Sequence, residues 1–546
     1  MDIAVEQVRT EYDTVPYDSH PFPQTAPGHL AAVAHLFGLD VPDVAGARVL
    51  EIGCSAGGNL IPFAAWHPQA RVVGVDLSPV QIDLGRRRVQ ALGLDNLELL
   101  QGDIARMDLS SLGLFDFVIC HGVYSWVPEN VQQAILAACK NLLSPLGIAY
   151  VSYNVYPGWK SKEIVRDAML LRGGGRGTPD EKLSYARGMI DFLEEVAPAD
   201  SVLAKAVAEF RTQTVNARDY YLQHEYLESF NAPCYFLKLT SLAGEHGLAY
   251  LADAAPSTMF ANNYGEKVAK PLLAECGHSQ LLVEQYLDFV VNRTFRQSLL
   301  VHADRAPQVS YDLDRKRFGR VHFAAHTPPT GDPTRVDDSA QDYAGSGGTI
   351  TTDDPGVKAA LDALTARWPW TMSRQDLLDA VDDRLKAAGA EVALDQEARI
   401  DALLEHLIVR GHSRYRLEPV SQAPDSTPMR VDERARRIAE MTRDEPDAYT
   451  VNAWHEESPL SAVDRHLVPL LDGTRSRDDL VEAIFALTRD GVIWFARDDR
   501  RLSEEAELRA AAAEHIDGVA TRLVAMKLLG SGAGAPAPDD GGVAAG

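Results

Sequence analysis

The stretch VLEIGCSAGGNL, from Val49 to Leu60, followed at a set distance by VVGVDLS ending at Ser78, constrains this chain more than any other. Arg48 to Ile52 is a short apolar run with β-branched residues, as a buried parallel strand requires. Gly53 and Gly57 allow a tight turn and close backbone approach to a ligand. Dinucleotide-binding turns usually carry G-x-G-x-x-G and set pyrophosphate on a helix N-terminus. Here the pattern is E-x-G-x-x-x-G, with Ser55 where a middle glycine is usual. The acid in this turn, Glu51, would repel pyrophosphate but suits the amino and sulfonium groups of S-adenosylmethionine. Asp76 lies 25 residues after Glu51, near the offset of acids that accept ribose hydroxyls in such folds.

Two further pieces fall in register. Leu97 to Leu100 reads as a third strand, followed by Gly102-Asp103-Ile104, where an acid suits an adenine amino group. Phe115 to Cys120 reads as a fourth strand that opens into His121-Gly122-Val123-Tyr124. Ile148 to Tyr153 reads as a fifth, leading to Asn154 and Pro157-Gly158-Trp159. Ligands of open parallel sheets bind beyond the C-terminal strand ends, where all these motifs lie. The expected cofactor-facing set is Tyr17, Glu51, Gly53, Ser55, Gly57, Asn59, Asp76, Leu77, Gly102, Asp103, Ile104 and His121.

With these motifs, residues 47–155 resemble a class I S-adenosylmethionine-dependent methyltransferase domain. A narrower resemblance, to bacterial methyltransferases with a methyltransferase regulatory domain and to the rickettsial-type protein-lysine methyltransferases, rests on four stretches. They are YDTVPYDSHPFPQTAP (Tyr12 to Pro27), HGVYSWVP (His121 to Pro128), SYNVYPGWK (Ser152 to Lys160) and the middle region with YYLQHEYLE (Tyr220 to Glu228) and QYLDFVVNRTFRQSLLVH (Gln285 to His302). It covers roughly residues 10–305, with weaker echoes to about 490. The resemblance implies a Rossmann-like α/β fold with a mostly parallel sheet, a helical middle domain and winged-helix-like C-terminal modules. It also implies S-adenosylmethionine as methyl donor, S-adenosylhomocysteine as product, and a protein lysine as acceptor.

The organisation expected is an N-terminal lid over 1–46, with Tyr12 and Tyr17 touching the cofactor, and a cofactor-binding domain over 47–160. A helical regulatory domain follows over 161–325, within which Leu281 to Val301 reads as strongly helical. Residues 326–356, rich in Gly, Pro, Asp and Thr, read as a linker or mobile loop. Residues 357–420 give three amphipathic helical patterns and a short strand, an order like a winged helix. This region is not markedly basic, so a protein-docking or dimerising role, with a homodimer as one form, is expected rather than DNA binding. Residues 421–528 form a helical module, and 529–546 a low-complexity, disordered tail.

The net charge of −25 argues against a nucleic-acid partner, which demands a basic face. It suits a cationic cofactor and a basic polypeptide. Five scattered cysteines without a C-x-x-C pair suggest neither a disulfide framework nor a metal site. The N-terminus lacks the basic and apolar regions of a signal peptide, and no 18-residue apolar run suggests a membrane span. A soluble, cytoplasmic enzyme is expected.

Methyl transfer is an in-line displacement with a good neutral leaving group, so positioning can supply most of the catalysis. A lysine acceptor must first become neutral, at a cost of roughly 4–5 kcal/mol at pH 7. Aromatic and amide groups can desolvate an ammonium without trapping it in a tight carboxylate pair. Tyr124 and Trp126 are therefore the expected walls of the acceptor site, with Asn154 orienting the amine and Tyr153, Tyr156 and Trp159 around the substrate. His121 could serve as base or line the methionine end of the cofactor; His224-Glu225 is a second acid–base pair, or a helix-surface pair. Two other functions fit the same motifs: O- or N-methylation of a peptide natural product or small metabolite, and non-catalytic S-adenosylmethionine binding by an interaction protein.

Overall fold

The computed structural model describes residues 3–14, 19–175, 177–421, 428–497 and 500–530. Seven strands build its centre: β1 (Arg48–Ile52), β2 (Arg71–Asp76), β3 (Leu97–Gln101), β4 (Phe115–Cys120), β5 (Leu143–Asn154), β6 (Leu248–Asp253) and β7 (Phe295–His302). They lie in the order β3-β2-β1-β4-β5-β7-β6. The first five run parallel, with Glu51 of β1 opposite Gly74 of β2 and Ile119 of β4. Strand β7 runs antiparallel to both β5 and β6. Both faces are covered, so β1 and β4 are almost wholly buried and read as apolar runs rather than alternations. The strand order reverses between β1 and β4, and the loops that follow them open at the same edge.

Two sequence expectations change here. Leu281 to Val301 is not one helix: the helix Gln280–Val290 ends, and β7 then enters the sheet. The run Ser298 to Val301 is fully buried between two strands, and that ladder outweighs the helical pattern. The sheet therefore continues past the boundary expected at residue 160, taking β6 and β7 from beyond the helical segment. Arg296 of β7, wholly buried, pins the helix Gln280–Val290 to the sheet through Glu284 at 2.7 Å and Asp288 at 2.8 Å.

The helix Pro27–Leu36 is buried along nearly its whole length. A helix apolar all round belongs in an interior, and its core is continuous with that of the segment beyond residue 355. In that segment three helices, Pro355–Arg367, Arg374–Ala387 and Gln396–Arg410, alternate with short strands. Both β11 (Met372–Ser373) and β12 (Ser413–Arg416) pair with β8 (His322–Ala325), so the third strand of this unit comes from upstream of residue 357. Residues 326–356 are not simply a linker. They hold a hairpin, β9 (Gln341–Gly345) and β10 (Gly348–Thr352). Tyr343 and Ile350, opposite one another on its buried face, fold it onto the core despite the turn-rich composition.

The last unit has its own core and opens with the helix Glu433–Thr442. A short hairpin follows, β13 (Tyr449–Val451) and β14 (Glu457–Pro459), whose turn Asn452–Glu456 points back to the central sheet. Residues 531–546, which hold nearly all of the expected disordered tail, lie outside the described residues. Among the described residues no helix is long and apolar enough to cross a membrane.

Candidate active site

A cavity of about 500 Å³ opens where the chain ends of β1, β2, β3, β4 and β5 meet the helical segment. Its polar end is made by the first turn. The N–H groups of Gly53 and Cys54 donate to the Val75 carbonyl at 2.8 and 3.1 Å, tying the turn to β2. Gly53 has φ of 77°, and a Cβ there would lie 2.2 Å from Val123 Cγ2. Ser55 has φ of 49°, the left-handed conformation that the usual glycine would take more easily. That conformation aims its N–H at Asp76 Oδ2, 2.8 Å away, while Ser78 N–H donates to Oδ1 at 2.9 Å. Asp76 is thus fixed by backbone donors on both oxygens, with remaining lone pairs free for a vicinal diol. Burial raises its pKa, and the backbone donors oppose the rise.

Glu51 lies deeper. Its Oε1 accepts from Asn59 Nδ2 at 2.8 Å, whereas its buried Oε2 has no hydrogen-bond partner among the described residues. Burial pushes the carboxyl up to about 8. An orphaned carboxylate oxygen on a cavity wall is costly unless a donor or cation meets it. The amino and sulfonium groups of S-adenosylmethionine supply that charge, so the residues present fit this cofactor. Leu77, Gly102, Asp103 and Ile104 also line the cavity. Asp103 is oriented by the Ala105 N–H at 3.0 Å.

His121 lines the cavity beside Phe22, with ring centroids 3.9 Å apart. Its Nδ1 lies 2.9 Å from the Tyr150 hydroxyl, and burial lowers its pKa to about 4. It is therefore neutral at physiological pH and a weak base, which suits a lining role better than proton abstraction.

The other end is aromatic. Trp126 and Trp159 meet edge to face, 6.0 Å apart, and both line the cavity with Asn154. Asn154 is buried and fixed, its N–H donating to Ser125 Oγ at 2.9 Å and its Nδ2 to Asn231 Oδ1 at 3.0 Å. From the helix Asp219–Tyr226 come Tyr221, His224 and Glu225. Glu225 pairs with Lys162 at 3.1 Å, and the Lys162 ammonium lies 5.0 Å from the centre of the Trp159 indole. His224 Nδ1 lies 2.5 Å from Glu228 Oε1, and Tyr12 of the N-terminal helix Ile3–Thr14 stacks on its ring at 5.1 Å. His224-Glu225 is therefore part of the cavity rather than an outer helix face.

Four expected site residues do not reach this cavity. Tyr124 is buried beneath the loop, ring against Tyr153, because its short helical turn directs it into the core below the sheet. Tyr153 sits one residue before Asn154 on β5 and so faces the opposite side of the strand, its hydroxyl 2.9 Å from Ser298 Oγ. Tyr156 turns outward to Glu163 at 2.5 Å. Gly57 completes the turn with φ of 76°, facing Leu99 rather than the cavity. Tyr17 lies outside the described residues. Arg9, His20, Phe22, Lys162, Tyr221 and Phe295 also line the cavity, from distant segments, and were not expected there; His20, Phe22, Tyr221 and Phe295 fall within the stretches that carried the family resemblance, whereas Arg9 and Lys162 had no such signal.

Family models match in chain order. A methyltransferase domain covers residues 49–147, a predicted methyltransferase regulatory domain covers 218–302, and a PKMT C-terminal winged-helix domain covers 434–528. The last falls downstream of residues 357–420, where the sequence pattern suggested a winged helix. The uncharacterized protein RP789 of Rickettsia prowazekii (strain Madrid E) is 32% identical over 510 residues, spanning 91% of this chain and 90% of that one. The structure of PKMT2 from Rickettsia typhi in complex with AdoHcy superposes with a TM-score of 0.80 at 26% identity, covering 94% of this chain and 99% of that one. The ubiquinone biosynthesis O-methyltransferase of Acinetobacter baumannii (strain ACICU) is 28% identical over 138 residues, 25% of this chain and 56% of that one. With its carboxylate-lined cofactor cavity and its full-length likeness to these rickettsial proteins, the chain belongs to the rickettsial PKMT-type family of S-adenosylmethionine-dependent methyltransferases.

Proposed function

We propose that this enzyme methylates lysine side chains of polypeptides. The observation that carries the reading is Lys162: the aromatic end of the cavity already holds a lysine ammonium, between the Trp159 face and the Glu225 carboxylate. An acceptor lysine of the same size and charge fits the same surroundings. The PKMT2 of Rickettsia typhi, by its name, supports this acceptor class.

Each group then has a role. Asp76 holds the ribose hydroxyls, Glu51 meets the cationic end of the cofactor, and Asp103 reads the adenine amino group. Bound S-adenosylmethionine supplies an electrophilic methyl, open to in-line displacement. Trp126 and Trp159 draw the acceptor ammonium in by cation–π attraction, about 0.5–2 kcal/mol. They also exclude water, which favours the neutral amine that must attack. Glu225 can exchange Lys162 for the incoming ammonium, whose proton passes to solvent before attack, and Asn154, rigidly held, orients the nitrogen lone pair.

The test is transfer of labelled methyl to heat-unfolded cell protein, followed by acid hydrolysis and amino-acid analysis. Label recovered as methylated lysines is the expected result. Label confined to small solutes would overturn the reading in favour of a metabolite methyltransferase, and cofactor binding without any transfer would leave only an interaction protein.

A further inference from the structure

We infer that His455, in the hairpin turn of the C-terminal unit, is a positioning residue of the cofactor site, acting through Asn59 on Glu51. The inference rests on cofactor use alone and not on the identity of the acceptor.

Asn59 is buried, and its side chain stands between two parts of the fold. Its Nδ2 donates to Glu51 Oε1 at 2.8 Å. Its Oδ1 faces the Phe22 N–H at 3.0 Å and His455 Nε2 at 2.9 Å. An amide can always be turned over, exchanging oxygen and nitrogen. Here the Phe22 N–H forbids it, because a backbone amide cannot accept. Thr25 Oγ1 is 3.1 Å from the same oxygen but 2.8 Å from the Phe22 carbonyl, and its single hydrogen serves the shorter contact. His455 is then the second donor to an oxygen with two lone pairs.

The histidine is suited to that task. Burial beside Arg416 lowers its pKa to about 3, so the ring is neutral and has one N–H. Asn59 Oδ1 can only accept, so the hydrogen sits on Nε2. The residue adopts φ of 63°, uncommon for a side chain with a Cβ. Its turn is fixed by Asn452, whose carbonyl accepts from the His455 N–H at 3.0 Å and whose Oδ1 accepts from the Trp454 N–H at 2.9 Å. Two residues on, Glu457 Oε2 lies 2.6 Å from Nδ1 of His20, another wall of the cavity. The hairpin thus touches the cofactor site twice, from almost 400 residues downstream of Asn59.

The consequence is electrostatic. The Asn59 amide is the contact that opposes the rise in the Glu51 pKa, against burial and the nearby Asp76 carboxylate; the other groups coupled to Glu51, namely Cys54, Cys120 and Tyr150, are themselves held neutral by burial. Without His455 the amide loses one of its two anchors, Glu51 holds its proton more tightly, and a cationic ligand binds less well at neutral pH.

The experiment is calorimetry of S-adenosylmethionine binding by the full chain, with steady-state kinetics, across pH. His455→Phe keeps the ring volume and removes the donor. It should weaken cofactor binding about five- to tenfold, raise the cofactor KM in parallel, leave kcat within about twofold, and shift the rising limb of affinity to higher pH. His455→Gln, which retains an amide donor, should recover most of the loss. Should the phenylalanine variant not fold, His455→Asn carries the same test, since asparagine accepts positive φ but its amide is too short to reach Asn59. In an Asn59→Ala background the His455 substitution should add nothing. Wild-type affinity and pH profile in a folded His455 variant, or an equal penalty with and without Asn59, would overturn the inference.

Discussion

At the Glu51–Asp76 end of the cavity, the carboxylates are set by backbone amides and one side-chain amide lying within the first strand–turn–helix–strand unit. At the Trp126–Trp159 end, the walls come from the loop after β4, the end of β5, the start of the helix Trp159–Gly173, the helix Asp219–Tyr226 and the strand β7. One end is set mainly within a local unit and only braced from afar, through Asn59, by Phe22 and His455; the other is tertiary throughout. A site whose donors are main-chain groups tolerates little sequence change around its turn, because turn geometry itself is the ligand. A site built of side chains on separate elements can change its acceptor by altering one element while the donor end stays fixed.

The sharpest way to break this contrast is Asp76→Ala. Two hydrogen bonds from a diol to a charged acceptor are worth about 3–6 kcal/mol together, and the Ser55 and Ser78 N–H groups would lose their acceptor as well. Calorimetry should show S-adenosylmethionine affinity falling at least a hundredfold from that of the wild type. Binding that survived would mean the ribose is held elsewhere and the polar end is misassigned.

Trp126→Ala and Trp159→Ala probe the other end. Loss of one aromatic wall should reduce kcat/KM for the acceptor by about three- to thirtyfold, the range of an ammonium–indole contact. Cofactor affinity should remain within about twofold of wild type, since neither indole belongs to the carboxylate end. A matching loss of cofactor affinity would show that the two ends do not act separately.

Glu51 gives the contrast a pH signature of intermediate size. In the empty site the carboxyl titrates near 8, so it is neutral at pH 7. A cation in contact favours the ionised form, and binding below pH 8 must release a proton. Cofactor affinity should therefore rise as pH increases towards about 8 and then level, by up to about tenfold per unit. Folding has the opposite sign. The folded pKa exceeds the ordinary 4.5, so the stability tied to this proton is full below about 4.5 and is lost as pH rises through about 8. Glu51→Gln should abolish both dependences, giving weaker cofactor binding but an unliganded protein whose melting temperature no longer falls between those limits. Calorimetry and thermal melts at matched ionic strength read the two together.

How far the sequence revealed the site follows the same division. The places of Glu51, Gly53, Ser55 and Asp76 on the cavity were legible because they depend on short-range spacing and on backbone conformations few residues adopt. Trp126, Asn154 and Trp159 were found because they follow strand ends, where parallel sheets bind ligands. Lys162 carried no local signature, and Tyr221 lay in the quoted YYLQHEYLE stretch without a role of its own; both reach the cavity because the helical segment inserted before β6 folds back over it, and that arrangement is set by long-range packing. The same limit misread β7 as helix, since an apolar run flanked by a true helix does not reveal that a strand waits on either side of it. Strands β1 to β4, each bounded by glycine, acid or turn residues, were placed within a residue or so, whereas β5 begins at Leu143, five residues before the expected Ile148.

Tyr124 is the case where the reasoning that found Trp126 went too far. It follows the same strand and has the right chemistry for an amine pocket, yet its ring lies in the core against Tyr153, and its hydroxyl is buried without a hydrogen-bond partner among the described residues. Burial raises the pKa of that phenol further, so it cannot serve as a base near neutral pH. Tyr124→Phe removes only the oxygen and keeps the ring packing. An unsatisfied buried hydroxyl costs about 1 kcal/mol or more, so the variant should be as stable as the wild type or more stable by about that amount, read as an equal or higher denaturation midpoint. Turnover should be unchanged within about twofold, because a core residue acts only through packing that this substitution preserves. A clear loss of turnover, with the fold intact, would bring Tyr124 back to the acceptor and mean that the aromatic end extends beneath the loop rather than stopping at Trp126.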